Sequence, residues 1–334
     1  MGVYLPEVIE FAGKRVGDMY TFFAQYISAN QVLMLGMIVT FILTFLLLKH
    51  PFRFLPSDQG RAFAVNGELS RGKLRGVGLT FVICFLVGSF VFLPVDREFV
   101  IYAILLFAMM MSGYLDDASD KPWSDYKKGL IDLIISAVAV GTFINFNSTS
   151  IMIGPWGMEL PAAVYFVLGI ILVWVSVNVT NCTDGVDGLC ASVSSVTLFA
   201  FAVLFSEVLG KYGMANFLFI AVLFAYLYFN TSPSTMLMGD AGSRALGFYI
   251  AIISMKSGHP FIFLLLAGVM IIDGGLGLVK IFLKRFLKIS ILKKTRTPIH
   301  DHVRKNIGWS DTQVVVRFVI MQALLAVIAF CIVG

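Results

Sequence analysis

The chain has few charged residues and few cysteines for its length. Only 13% of its 334 residues are charged, against about 25% in soluble domains. Its cysteines, Cys84, Cys182, Cys190 and Cys331, lie in or beside apolar runs and lack the Cys-x-x-Cys spacing. Disulfides and a cysteine metal site are therefore not expected. Internal repeats, low-complexity tracts and linkers are also missing, so we predict a single domain over residues 1–334.

A signal peptide and a soluble basic domain are also not expected from the sequence. Lys14, Arg15 and Asp18 interrupt the first 26 residues, and no apolar core precedes a small-residue cleavage site. We interpret residues 1–26 as a leader, either an amphipathic helix in the membrane interface or a loosely packed segment. The formal net charge is +5, but nucleic acid is not an expected partner because no soluble domain carries that charge.

Long apolar runs dominate what is present. Hydrophobic residues make up 58% of the chain, and a transmembrane helix needs roughly 20 residues of this kind. Ten segments reach or approach that length, at about 30–49, 77–95, 99–115, 129–145, 162–180, 187–209, 213–230, 241–256, 260–283 and 312–333. We predict an all-α polytopic integral membrane protein with about ten transmembrane helices. The glycines Gly274, Gly275 and Gly277 predict a bent or broken ninth helix. Asp273 in the same run is expected to face the interior of the bundle, with its role in the chemistry open.

Basic residues are distributed unequally between the connections. Most lie in the first, third and ninth connections, whereas the opposite side has only Lys14, Arg15, Arg97, Lys211 and Lys256. The positive-inside rule therefore places the odd-numbered connections in the cytoplasm and both termini outside. Some of the excess charge is suited to anionic membrane lipid.

Four acidic or histidine groups follow odd-numbered segments and so share the predicted cytoplasmic face. They are Asp116-Asp117, Asp184 with Asp187, Asp240, and His300-Asp301-His302. Ionisable groups beside bilayer-length apolar runs are costly and usually functional. Carboxylates from several loops suit Mg²⁺, which prefers hard oxygen ligands and bridges carboxylates to substrate phosphate. The pattern predicts a bound cation and a phosphorylated substrate.

Simpler interpretations exist for each group. Asp116-Asp117 is compatible with a solvated acidic loop, Asp240 with a helix N-cap, and the histidine group with a solvated basic loop. Zinc is not expected at the histidines because no third ligand has suitable spacing.

The segment from Asn178 to Leu189 carries the most specific pattern. Asn178, Asn181, Asp184 and Asp187 recur every three residues, which would line one face of a helical turn. Capping and turn chemistry is the alternative interpretation of the same residues.

In this order, the motifs LDD, NxxNxxDGxDGL, MGDxGS and PIHxH…GW resemble the polyprenyl-phosphate N-acetylhexosamine-1-phosphate transferase superfamily over about residues 58–309. The PIHDH…GW ending is most similar to the phospho-N-acetylmuramoyl-pentapeptide transferase family. That resemblance implies an Mg²⁺-dependent enzyme of the bacterial plasma membrane with a cytoplasmic active site. It implies transfer of phospho-MurNAc-pentapeptide from UDP-MurNAc-pentapeptide to undecaprenyl phosphate, giving lipid I and UMP, and a homodimer.

The resemblance also assigns expected roles to individual residues. The expected catalytic residues are Asp116, Asp117, Asp240 and His300, with Asp240 and Asp117 holding the metal. The expected substrate-binding residues are Lys73, Lys121, Lys128, Asn178, Asn181, Asp184, Asp187, Asn230, Leu237 and His302. Asp116 would orient or deprotonate the lipid phosphate, and a covalent aspartyl-phosphate route is the alternative.

Departures from the family pattern leave the donor sugar open. Asp301 replaces the middle of three histidines, Arg304 stands where a Glu is usual, and Leu237 where an aromatic residue is common. The loop that usually reads GTPTMGG is GKLRGVG at residues 72–78. A sister transferase that uses UDP-GlcNAc for teichoic acid or O-antigen synthesis is the alternative. A secondary transporter is a third possibility, although transporters place polar residues at the bilayer midplane, often in paired repeats.

Overall fold

The computed structural model describes residues 19–60, 67–119, 121 and 123–333, and these are mostly helical. Residues 1–18, the larger part of the predicted leader, lie outside the described residues. The main helices are α1 (Ala29–Lys49), α2 (Gly78–Phe92), α3 (Arg97–Asp117), α4 (Asp125–Phe146), α5 (Ala162–Thr183), α6 (Leu189–Leu204), α7 (Lys211–Asn230), α8 (Gly239–Lys256), α9 (Pro260–Leu266), α10 (Gly268–Leu287) and α11 (Asp311–Val333). Short helical turns occur at Gly67–Ser70, Ser206–Leu209, Ile299–His302 and Val303–Ile307.

Six of these helices, α1, α3, α4, α5, α7 and α11, are long and apolar enough to cross a membrane. The bent pair α9 and α10 makes a seventh candidate if it is counted as one span. The remaining predicted segments correspond to α2, α6 and α8, which have only 15, 16 and 18 residues. The chain is therefore consistent with a polytopic membrane protein, while the count of ten spans and the side of the termini stay predictions.

Capping side chains fix where the helices near the site begin. Asp96 accepts a hydrogen bond from Phe99 N at 2.9 Å and starts α3, so that 21 residues later the helix ends at Asp117. Ser124 accepts from Lys127 N at 3.3 Å and starts α4, which leaves Lys128 in its first turns. Each cap satisfies an N–H that has no partner within its own helix.

Helix α8 lies at the centre of the bundle, and every residue from Gly239 to Met255 is buried. It packs against α3 and α5, and close approach is possible because the facing residues are small. A Cβ atom at Gly113 of α3 would lie 2.3 Å from the carbonyl oxygen of Asp240. A buried ion pair between Arg244 of α8 and Asp132 of α4 ties a third helix to the same core. The first turn of α8 is thus held on several sides.

The ninth apolar segment is bent by 72° between α9 and α10. The break falls at Ala267, before the glycines that predicted it, and a side chain from another helix explains the difference. Gln322 of α11 accepts from Val269 N at 3.1 Å and donates to the carbonyl oxygens of Leu265 and Leu266 at 3.2 and 2.9 Å. These bonds satisfy backbone groups that the break leaves without helical partners.

An antiparallel hairpin, β1 (Ser150–Ile153) and β2 (Trp156–Glu159), connects α4 to α5. The all-α prediction did not include it. Gly154, with a positive φ of 56°, makes the tight turn possible. Four-residue strands are too short to give an alternating pattern that stands out among apolar runs.

Candidate active site

Arg75 lies among three carboxylates that come from separate parts of the chain. Its Nε donates to Asp117 Oδ1 at 2.7 Å, and its Nη1 to Asp58 Oδ1 at 3.0 Å. Its Nη2 lies 3.5 Å from Asp240 Oδ1. Burial alone would lower the pKa of the guanidinium, but the three carboxylates outweigh burial and raise that pKa above its ordinary value. The arginine is therefore firmly charged.

Lys128 joins the same carboxylates from the side of α4. Its Nζ contacts Asp116 Oδ2 and lies 3.3 Å from Asp240 Oδ2. The other oxygen of Asp116 accepts from Trp123 N at 2.7 Å. Asp240 consequently lies between two cations. We refer to Asp58, Asp116, Asp117 and Asp240, with Arg75 and Lys128, as the acidic cluster.

The amino end of α8 contributes to this cluster through its backbone. Asp240 is the second residue of α8 and not its N-cap, so the capping interpretation is wrong. Ala241 N donates to Asp117 Oδ2 at 3.3 Å, and unpaired N–H groups at a helix start favour negative charge. Gly239 has a φ of +67°, and a Cβ there would lie 2.2 Å from Asp117 Oδ2. Glycine is therefore required for this approach.

The chemistry of the acidic cluster suits a divalent cation. One oxygen each of Asp117 and Asp240 faces the same guanidinium, so a single cation can neutralise both carboxylates. Among the described residues, no three or more His, Cys, Asp or Glu side chains are grouped so that they could hold a metal ion. Mg²⁺ commonly uses one or two carboxylates with waters and substrate phosphates, and Asp117 with Asp240 fits that arrangement.

The predicted polar face across α5 is interrupted. Helix α5 ends at Thr183, so Asp184 and Asp187 lie in the turn before α6. Within the helix, Asn181 donates to Ser243 Oγ of α8 at 2.9 Å, whereas the half-buried Asn178 donates to the carbonyl oxygen of Trp174 in its own helix. Glycines in this turn, including Gly188 with a φ of +82°, end the helical geometry.

Two hydrogen-bond networks hold this turn against neighbouring loops. Ser234 N donates to Asp187 Oδ2 at 2.9 Å, and Lys73 Nζ lies 2.9 Å from Ser234 Oγ and 3.5 Å from the same Asp187 oxygen. Gly188 N donates to Asn230 Oδ1 at 2.9 Å. Asn230 Nδ2 donates to Met236 O at 2.8 Å. These contacts bring Lys73, Asp187 and Asn230 together.

His300 is positioned by a buried aspartate. Its backbone N and ring Nδ1 each lie 2.8 Å from an oxygen of Asp273, which belongs to a π-helical turn, Ile271–Gly275, within α10. The ring packs on the turn after α5, so closely that a Cβ atom added at Gly185 would lie 2.3 Å from His300 Nε2. A carboxylate on one ring nitrogen fixes the tautomer and orientation of the other. His300 therefore presents Nε2 toward the Asp184–Asp187 turn.

Residues 297–309 form the histidine loop, and its two departures from the family pattern, Asp301 and Arg304, pair with each other. Arg304 Nη1 lies 3.5 Å from Asp301 Oδ1, and Arg304 Nε lies 2.8 Å from Asp311 Oδ1. His302 Nδ1 accepts from Arg296 N at 3.3 Å within the same loop. The departures at positions 301 and 304 are thus mutually compensating in charge.

Two further predicted residues lie at the edge of these networks. Leu237 is half-buried, and its backbone bonds to Leu74 O and Val77 N at 2.8 and 3.2 Å. Lys121 is exposed. Their substrate roles stay predictions.

Three residues of the site, Asp58, Arg75 and Ser234, were not selected from the sequence as candidates. Asp273 is buried as expected, but its contact with His300 was not predicted. In the sequence analysis, Arg75 was considered only as one of the basic residues of the first connection that indicate membrane orientation. The departure of residues 72–78 from GTPTMGG was the available indication, because it places a new basic residue beside Lys73.

Comparison with known proteins identifies the family to which the chain is related. The profile of the family described as glycosyl transferase family 4 matches residues 99–258. A phospho-N-acetylmuramoyl-pentapeptide-transferase of Treponema pallidum subsp. pallidum is 35% identical, over 86% of this chain and 85% of that protein. Proteins of the same description from Dictyoglomus turgidum and Dictyoglomus thermophilum are 28% and 29% identical, over 89% and 86% of this chain and 96% and 94% of their own lengths.

These findings define the class of the protein as a membrane-embedded transferase. Because a relative at 35% identity covers most of both chains, the chain belongs to the phospho-N-acetylmuramoyl-pentapeptide-transferase family.

Proposed function

We propose that the chain transfers phospho-MurNAc-pentapeptide from UDP-MurNAc-pentapeptide to undecaprenyl phosphate, giving lipid I and UMP for peptidoglycan biosynthesis, with Mg²⁺. The observation that carries this proposal is the acidic cluster, in which Asp116, Asp117 and Asp240 meet two cations. Phosphoryl transfer depends mainly on positioning and charge neutralisation. The names of the relatives supply the substrate class.

The proposed location is the bacterial plasma membrane, with ten spans, both termini outside, the acidic cluster on the cytoplasmic face, and a homodimeric assembly. The charge distribution supports this orientation, because the basic first, third and ninth connections contain or adjoin most residues of the acidic cluster and the His300–His302 group. A UDP-linked donor is charged and water-soluble, so it reaches the enzyme from the cytoplasm.

In the proposed mechanism, an oxygen of the lipid phosphate attacks the sugar-linked phosphorus of the donor, and UMP leaves. Asp116 orients the lipid phosphate, and Lys128, which contacts Asp116 and Asp240, neutralises its charge. A phosphate monoester has a second pKa near ~6, so at neutral pH it is largely dianionic. A strong base is therefore not required.

Asp117 and Asp240 would hold Mg²⁺, which when bound neutralises charge on the donor pyrophosphate. The proposed donor pocket comprises Lys73, Asn181, Asp184, Asp187, Asn230 and Leu237. Asn178, Lys121, His300 and His302 are proposed to contact the sugar or phosphate at its edge. The support is the network that joins Lys73, Asp187 and Asn230 in one place.

The decisive assay uses purified protein, undecaprenyl phosphate and either UDP-MurNAc-pentapeptide or UDP-GlcNAc, scored for UMP. We expect release with the first donor only. Release with only UDP-GlcNAc would favour the sister transferase, to which the absent middle histidine at Asp301 points. No release from either donor would contradict phosphosugar transfer.

The covalent alternative has its own test. Enzyme is incubated with labelled donor in the absence of lipid, and the protein is isolated. We expect no label on the protein, since direct attack needs the acceptor. An acid-labile phospho-sugar adduct on an aspartate would contradict direct attack.

Asp273→Asn is expected to lower kcat about 10- to 100-fold with little change in KM for the donor. The asparagine no longer fixes the tautomer of His300, and loss of such a supporting carboxylate has effects of about this size at metal-bound histidines. Steady-state UMP release measures both constants. The double variant with His300→Ala should be no slower than His300→Ala alone, and additive losses would show that Asp273 acts independently of His300.

A further inference from the structure

Arg75 makes an unusual number of ion pairs for a single side chain. Its three guanidinium nitrogens face carboxylates of Asp58, Asp117 and Asp240. These carboxylates belong to the first connection, the end of α3 and the start of α8. Only 22% of the Arg75 side chain is exposed, and the Asp117 carboxylate is fully buried. The arginine is therefore part of the interior of the site.

The acidic cluster still carries more negative than positive charge. Counted formally, with every group ionised, four carboxylates face two cations, an excess of two negative charges. Removal of either cation would leave buried carboxylates repelling one another, which is costly at low local dielectric. The cluster therefore needs Arg75 in addition to Lys128 whenever no divalent cation is bound.

Arg75 and a divalent cation would require the same oxygens. Asp117 Oδ1 and Asp240 Oδ1 are both directed at the guanidinium. The two positive groups would compete for these oxygens, since the guanidinium contacts both of them. We expect a divalent ion that binds there to displace the arginine from one or both carboxylates.

We propose that Arg75 is a positioning residue that acts as the resident counter-ion of Asp117 and Asp240 and is displaced when a divalent cation binds. It keeps the two carboxylates together before the cation and donor arrive, and it weakens cation binding by competition. The identification of the cation as catalytic Mg²⁺ rests on the proposed function. The competition itself depends only on the geometry of the acidic cluster.

The direct test is Mn²⁺ binding to purified, EDTA-treated full-length protein, followed as the loss of free Mn²⁺ by electron paramagnetic resonance. Substrates are left out. We expect Arg75→Gln to bind Mn²⁺ on the order of tenfold more tightly or better, because the positive charge that competes for the Asp117 and Asp240 oxygens is removed. Unchanged or weaker binding would overturn the proposal, because that is the result expected if Arg75 had only a structural role.

Arg71→Gln is the matched control. Arg71 lies in the same connection and loses the same charge, but its side chain is 70% exposed and its ion pair is with Glu68 at 3.9 Å. Mn²⁺ affinity should stay within about twofold of wild type, because an exposed charge is screened. Equal tightening in both variants would attribute the effect to net charge and overturn the proposal.

Arg75→Lys addresses the case in which Arg75→Gln does not fold. A lysine keeps the charge but lacks the planar fork that reaches three carboxylates. We expect Mn²⁺ to bind more tightly than in wild type, by a smaller factor than in Arg75→Gln. Unchanged or weaker affinity in Arg75→Lys would overturn the proposal.

A measurement on the wild-type protein needs no variant. Mn²⁺ should increase labelling of Arg75 by phenylglyoxal, detected by mass spectrometry, because the displaced guanidinium becomes accessible. Protection of Arg75 by Mn²⁺ would contradict displacement.

Failure of this proposal and failure of the proposed function have different signatures. UMP release with UDP-MurNAc-pentapeptide together with unchanged Mn²⁺ affinity in Arg75→Gln would remove only the role of Arg75. Tighter Mn²⁺ binding without UMP release from any donor would leave the counter-ion role standing and remove the proposed reaction.

Discussion

Asp240→Asn is expected to lower UMP release by about 1000-fold or more and to leave the protein folded. Asp240 lies between Arg75 and Lys128 at the start of α8, where the proposed mechanism places the cation and the donor pyrophosphate. An amide is a poor ligand for Mg²⁺ and leaves both basic groups without their shared partner. Loss of one group that stabilises developing charge commonly costs 100- to 1000-fold, and here cation binding is affected as well.

Asp125→Asn provides the matched control for Asp240→Asn. Asp125 lies in the first turn of α4, three residues before Lys128, with a 91% exposed side chain and an ion pair to Arg285 at 3.8 Å. The Asp125→Asn variant should retain most of the activity, because exposed ion pairs contribute little to stability. Both variants should unfold at temperatures close to wild type. Wild-type turnover by purified Asp240→Asn would contradict the metal assignment.

Sequence reasoning located the helices well because apolar length is a strong and local signal. The predicted segments 99–115 and 129–145 correspond to α3 (Arg97–Asp117) and α4 (Asp125–Phe146). Asp116 and Asp117 consequently fall in the last turn of a helix, as expected from their position after an apolar run. The same logic placed Asp240 at a helix start.

Interactions between distant residues could not be predicted in this way. Arg75 meets Asp58, Asp117 and Asp240, which are 17, 42 and 165 residues away along the chain. A basic residue in a loop between spans has an ordinary explanation in membrane topology, and that explanation concealed its place in the site. Only the packing of α3, α8 and the first connection brings the four side chains together.

The break near Ala267 illustrates a related limit. Glycines at 274, 275 and 277 indicated a bend, but the backbone breaks where Gln322 of α11 supplies replacement hydrogen bonds. The partner is 53 or more residues away, so the local pattern contains no information about it. The indication available from the sequence was a glutamine, Gln322, within an apolar run, since polar side chains within spans usually bond to neighbouring helices.

Gly113→Ala is expected to lower UMP release about 100-fold through a single added methyl group. A Cβ at Gly113 would lie 2.3 Å from Asp240 O, 2.4 Å from Asp240 C and 2.6 Å from Ala241 N. All three are backbone atoms, so no side-chain rotation relieves the overlap. The first turn of α8 must move by about 1 Å, and misplacement of that size can cost about 100-fold in rate.

The same overlap should destabilise the protein by about 1–3 kcal/mol, as overpacking of a well-packed core does. Gly129→Ala is the control, because a Cβ at this position in α4 meets no heavy atom within 4 Å. Alanine there should leave activity unchanged and stability equal or higher, since alanine favours helix over glycine by about 1 kcal/mol. Thermal unfolding and UMP release, measured on both variants, separate the two effects. Full activity in Gly113→Ala would contradict this prediction. It would mean that the first turn of α8 can move by this distance without loss of rate, and that the exact position of Asp240 is not critical.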